Sequence, residues 1–276
     1  MPKDEVGFGF QHFWPKAYEA FPRFWEVYPR LSAAIDSLIA AGYKNVGPLQ
    51  KVTINLGILA GTSLAEIVLL VGNGLGHGAL KIARSMLEIA INAEFLRLFP
   101  DQLNDYRDWS VVERYKLMNY IRTDAPHLLP EYPQEMQDEI DRDFQSVKHR
   151  FETAASGAKP RVRPGWCSVG LDIRASKTGF QDAYRLIYPM GNKLLHGTIG
   201  GMSMHANRFE DTARIAVPPS LDYSKQALIG AHMCAVRIVT TVSQVMGREP
   251  SPALDILTKD YGFAWTNQPE HTETAQ

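Results

Sequence analysis

Cysteine is scarce. Only Cys167 and Cys234 occur in 276 residues, at no metal-ligand spacing. That excludes a disulfide framework and a cysteine-built zinc site, and makes a reducing cytoplasm the expected compartment. Surplus positive charge is missing too: 29 Lys and Arg stand against 30 Asp and Glu, a net charge of −1. A broad electrostatic footprint for nucleic acid needs a basic excess, so none is expected. One local cluster remains, where residues 147–166 gather Lys148, Arg150, Lys159, Arg161 and Arg163, and it reads first as a solvated loop. The opening MPKDEVGFGFQHFWPK has no basic region leading into an apolar one, so no export signal is expected.

Metal-binding patterns are absent as well. No Glu is followed three residues later by His, and His-Glu-x-x-His does not occur. A helix bundle that holds metal uses such pairs to set two ligands on one inward face, so neither metal nor other cofactor is expected. Residues 52–80 carry Glu66 as their single charge, together with Gly57, Gly61, Gly72, Gly74, Gly76 and Gly78. Splitting at Glu66 leaves two runs shorter than the roughly 20 residues a membrane span needs. A buried helical hairpin is expected there, and no membrane partner. Gly74-x-Gly76-x-x-Ala79 follows an apolar run, as in a dinucleotide-binding fingerprint, but no second strand with a terminal acid follows. It is expected to be a helix–helix connection. Gly201-Met202-Ser203-Met204-His205 comes close to a nucleophile elbow, which needs a parallel sheet that this chain does not predict.

What is present is helical pattern throughout. Residues 14–28 are aromatic and interrupted by Pro15 and Pro22, predicting a broken helical entry, and 31–42 a short amphipathic helix. Further helices are predicted at 48–71, 78–99, 101–122, with Tyr106, Trp109, Val112 and Leu117 as core positions, and 134–156. A loop is expected at 157–173, helices at 179–196 and 220–247, with Ser220 as N-cap, and irregular chain at 198–219. The expected fold is an all-α, single-domain helical bundle with a polar network between two buried helices. Residues 1–47 would be an N-terminal helical segment on the core, 48–250 the core, and 251–276 a short helix with a disordered tail.

That network is predicted from two polar stripes. Arg84, Glu88 and Asn92 recur every fourth residue in an otherwise apolar segment, as do Tyr184, Tyr188, Asn192 and His196. A step of four keeps side chains on one helix face, and a helix apolar nearly all round should be buried. Its charges then need partners, which the second stripe offers. Pro189 and Gly191 should kink the second helix, because Pro189 cannot donate to the carbonyl of Arg185. The same residues also admit a purely architectural reading, in which they only fix helix register.

These residues carry a resemblance. GLGHGALKIARSMLEIAINAEFL (74–96), with its Arg-Ser-x-x-Glu, and then Trp166, Gly179, Tyr184, Tyr188, Asn192, His196 and Gly197 resemble an uncharacterised family of bacterial all-helical proteins. That family has Ser where Asn192 stands, and Pro189 is unusual for it. The resemblance spans roughly residues 50–200. More distantly, the chain is similar to the HEPN superfamily of helical bundles, some of them metal-independent ribonucleases with Arg-x(4–6)-His on one helix. Arg122 and His127 match that spacing literally, with Pro126 between them. The HEPN resemblance implies a split site instead: His196 as acid/base, Arg84 on the phosphate and Glu88 as orienting carboxylate, with Asn92, Tyr184, Tyr188 and Asn192 binding around them. RNA, a small ligand and a second copy of the chain are the partners this reading allows. The alternative is a non-catalytic binding or interaction module, in stress or phage defence, whose stripes only specify helix packing.

Overall fold

The computed structural model describes residues 10–40, 46–153, 161–196, 219–248 and 252–266. Among them the protein is all-α, with one antiparallel pair of two-residue strands, β1 (Glu152–Thr153) and β2 (Arg161–Val162). Expectations for Gly42, residues 198–218 and the last ten residues lie outside the described residues. The chain forms two compact units, one of residues 1–98 and 174–276, the other of residues 99–173.

The first unit opens with α1 (Phe13–Ala20) and α2 (Pro22–Ala40). The break expected across 14–28 is confined to Phe21. Pro22 starts α2 at a position where its missing N–H costs nothing, and Pro29 is carried inside the helix. Phe24, Val27, Leu31, Ile35 and Leu38 then form one buried stripe at helical spacing. The apolar segment becomes α3 (Pro48–Gly72), and a turn through Gly74 leads into α4 (Gly76–Leu98). Gly74 has φ +68, a left-handed conformation that glycine adopts without a Cβ penalty. A side chain at Gly76 would strike the Asp222 carbonyl oxygen, so this turn is a packing device.

Helix α4 is the centre of the unit, touching α3, α8 (Gln181–Leu195) and α9 (Ser224–Val245). Only Ser85 and Leu98 on it are exposed, as its all-round apolar composition predicts. Leu80, Ala83, Met86, Leu87, Ile91 and Leu96 are completely buried. By length and composition α3 and α9 would each suffice to cross a membrane, but both contribute buried faces to this core. Ser220 is not the N-cap of α9, which begins after Tyr223. Its backbone N–H instead donates to the Gly74 carbonyl at 2.8 Å. The unit is completed by α10 (Pro252–Trp265) and by most of the short α7 (Leu171–Lys177).

The second unit pairs α5 (Leu103–Asp124) with α6 (Gln134–Phe151). Its core is Val112, Phe144, Val147 and Phe151, flanked by Trp109 and Tyr115. Leu117 is 55% exposed rather than core, because the buried stripe of α5 runs through Val112, Met118 and Ile121 and leaves it on the other side. Helix α6 stops at Phe151, short of the expected 156, where the strand pair begins.

Candidate functional site

The two stripes meet. Helix α8 follows a tight connection: Gly179, with φ +74, ends α7, and the Phe180 N–H reaches back to the Ala175 carbonyl at 2.8 Å. Asp182 in the first turn of α8 suits the positive end of the helix dipole. The helix continues through Pro189 to Leu195. Gly191 lets it lie close against α4, since a Cβ there would fall 2.7 Å from the Cβ of Arg84. Further along, Ile187 of α8 packs over Gly230 of α9 in the same manner. Two glycines therefore set the depth of α8, and Gly191 does so directly beside the stripe.

Arg84 is the hub. Its Nε donates to Asn192 Oδ1 at 2.5 Å, and its Nη2 donates to Tyr188 Oη at 2.8 Å and Glu88 Oε1 at 3.1 Å. The guanidinium also lies over the Tyr188 ring, 4.4 Å from its centroid, a cation–π contact. The Arg84 side chain is only 14% exposed, whereas that of Glu88 is 33% exposed. The Tyr188 hydroxyl is raised above its ordinary value by burial and by its hydrogen bond to Glu88, and the Arg84 charge opposes this in part. Tyr188 thus holds its proton toward Glu88 while accepting from Arg84. Tyr184 stacks on Tyr188, ring centroids 4.7 Å apart. Nη1 of Arg84 has no partner among the described residues.

Two expected members sit elsewhere. Asn92 accepts from Arg174 of α7 rather than joining Arg84. Composition gave no hint of Arg174, which lies between the stripes in a segment expected to precede the second helix. His196 ends α8, its N–H bonded to the Asn192 carbonyl at 3.0 Å, one helical turn beyond the residue that Arg84 grips. Its imidazole is exposed and makes no hydrogen bond to Arg84, Glu88 or any other described residue. The literal motif at Arg122 is occupied otherwise, because Arg122 pairs with Asp141 at 2.9 Å. A second match to the spacing, Arg142-x6-His149, lies on α6 with both side chains exposed.

A second polar network occupies the far end of α4. Glu94 takes two hydrogen bonds from Arg97 and one from the Thr241 hydroxyl, and Arg237 lies 3.7 Å away. Burial alone would raise the Glu94 carboxyl, but these hydrogen bonds and cations outweigh it and hold the group below its ordinary value. His232 is buried among Phe24, Tyr261 and Trp265, and its Nδ1 accepts from Trp265 Nε1 at 3.2 Å. Burial pushes its imidazole down to about 4, against a weaker upward pull from Asp260. Among the described residues no three His, Cys, Asp or Glu side chains gather as a metal site would require.

A family model matches residues 52–213, which include both stripes, most of α3 and all of α4 to α8; it describes a family of unknown function (DUF5677). The chain belongs to this family. No curated protein and no solved structure matches it. Membership places the chain in a family of unknown function and assigns it no reaction.

Proposed function

We propose that this family member is a metal-independent ribonuclease of HEPN-like character, with its site at the α4–α8 contact. The observation that supports the reading is that Arg84 grips Asn192, one turn of α8 before the exposed His196. A fixed guanidinium on α4, held by Asn192, Tyr188 and Glu88, meets the α8 stripe whose next member is an exposed imidazole. Cleavage of RNA without metal asks for these two groups: a cation where charge develops on phosphate, and a proton acceptor at the 2′-hydroxyl. His196 takes the 2′-hydroxyl proton and the oxygen attacks phosphorus. The bond to the 5′ oxygen breaks, that oxygen leaves with a proton from solvent, and a 2′,3′-cyclic phosphate results. Nη1 of Arg84 is the donor left to meet the phosphate. Glu88, Tyr188 and Asn192 are positioning residues.

One observation favours the competing reading, a binding or interaction module without chemistry. Three of the Arg84 hydrogen bonds are already made and the side chain is mostly buried, as an architectural lock requires. The test is cleavage of a mixed RNA pool in EDTA by the wild type, Arg84→Ala and His196→Ala, with His149→Ala as control and melting curves for each. The nuclease reading expects loss of cleavage in the first two variants, an unchanged melting curve for His196→Ala, and full activity in the control. An inactive wild type, or His196→Ala as active as wild type, overturns it and leaves the module.

A further inference from the structure

Helix α3 buries one face and, among the described residues, leaves the other without a partner. Lys51, Asn55, Ile58, Thr62, Ala65 and Leu69 are all exposed, and their spacing alternates four and three residues along the helix. That averages to the 3.5-residue repeat with which two helices pack side by side. Leu59 and Glu66 flank the stripe. Ile58 is 37% exposed, Leu59 53% and Leu69 57%, so the middle and one end of this face are apolar. An exposed apolar strip edged by polar residues marks an interaction surface.

From this strip we infer that α3 is the contact of a homodimer, packing antiparallel against α3 of a second copy about a two-fold axis between Ile58 and Leu59. Charge placement selects both occupant and direction. Lys51 lies seven residues before Ile58, and Glu66 seven after Leu59. A two-fold axis at that midpoint sets each Lys51 opposite Glu66 of the second copy, twice per dimer. It also sets Asn55 opposite Thr62, and Ile58 opposite Leu59, at the centre. Neither Lys51 nor Glu66 makes an ion pair among the described residues. A parallel pairing would instead oppose Lys51 with Lys51 and Glu66 with Glu66, which like-charge repulsion disfavours. A lipid surface would bury both charges without partners.

Sedimentation velocity of the full chain over a wide concentration range tests this, with vesicle flotation alongside. The wild type is expected to dimerise reversibly and to stay out of phosphatidylcholine vesicles. Leu59→Glu, at an exposed position, is expected to weaken the dimer about a hundredfold by setting like charges at the axis, with its melting curve unchanged. Lys51→Glu is expected to weaken it about tenfold, and Lys51→Glu with Glu66→Lys to restore it, since the two pairs are then only reversed. The charge-swap pair keeps the test valid should Leu59→Glu fold poorly. A wild type that is monomeric throughout overturns the inference. So does a dimer indifferent to Leu59→Glu, a double variant no better than Lys51→Glu, or a monomer that floats with vesicles.

Discussion

Helix α4 carries two charged networks that are near mirror images in chemistry. At Arg84 the cation is the buried partner and the carboxylate of Glu88 opens to solvent; at Glu94 the carboxylate is buried and the cations lie outward, with Arg237 40% exposed. The difference separates a lock from a candidate site. Glu94 is satisfied on every side by Arg97 and Thr241, and its lowered carboxyl reports net stabilisation of the charged form. Arg84 keeps one donor uncommitted, and its hydroxyl neighbour Tyr188 is shifted toward holding a proton. A network that is finished is architecture. One that leaves a cationic nitrogen without a partner among the described residues is the candidate site.

The comparison breaks first at Glu94. Glu94→Ala strands Arg97 in a partly buried place and should cost about 3 kcal/mol of stability, the largest loss of the set. Denaturant melts measure it directly, and a loss no greater than that of Arg84→Ala would make the two networks equivalent. The same site has a pH signature. Its folded value lies below the unfolded one, so its contribution is fully present above the unfolded carboxylate value and is lost as pH falls through the folded value. His232 loses stability in the same direction, since its folded value of about 4 lies below the unfolded one and the unfolded chain takes the proton first. The Glu94 part is therefore read as the difference between wild type and Glu94→Gln, which should shrink as pH falls below the ordinary carboxylate range.

Arg84→Ala comes next, at about 2 kcal/mol, because Glu88 can return to water once its partner is gone. Tyr188→Phe removes one hydroxyl between Arg84 and Glu88 and should cost about 1 kcal/mol. If Tyr188→Phe proved as damaging as Arg84→Ala, the ring contact and not the hydrogen bond would be holding the guanidinium.

Much of this was legible in the chain, and the exceptions have physical reasons. A step of four in two apolar segments predicts facing stripes, because helix periodicity alone decides which residues share a face. It predicts nothing about depth along the contact. Gly191 sets that depth by admitting Arg84, so Arg84 meets Asn192 and Tyr188, while Asn92 slides past the stripe to Arg174. The Glu94 network escaped the pattern because Glu94 and Arg97 lie three residues apart, off the four-residue step, and Thr241 on an apolar helix gives no periodic signal. Leu117 failed for a local reason: several apolar residues on α5 compete for one buried stripe, which runs through Val112, Met118 and Ile121, and Val112 packs against Phe144, Val147 and Phe151 of α6.

The smallest expected effect is the most discriminating. His196 is exposed at the end of α8, and its side chain bonds to no described residue, so His196→Ala should leave stability within about 0.5 kcal/mol of wild type. An architectural stripe gives its fourth member no reason to be histidine at that position, since nothing is held by it. A catalytic stripe needs an imidazole with both ring nitrogens accessible, beside a cation that is fixed so it need not reorganise when charge develops. Melting and RNA cleavage measured on the same His196→Ala preparation therefore divide the two networks. Unchanged melting with lost cleavage makes the Arg84 end of α4 a working site, and unchanged melting with unchanged cleavage makes His196 a bystander.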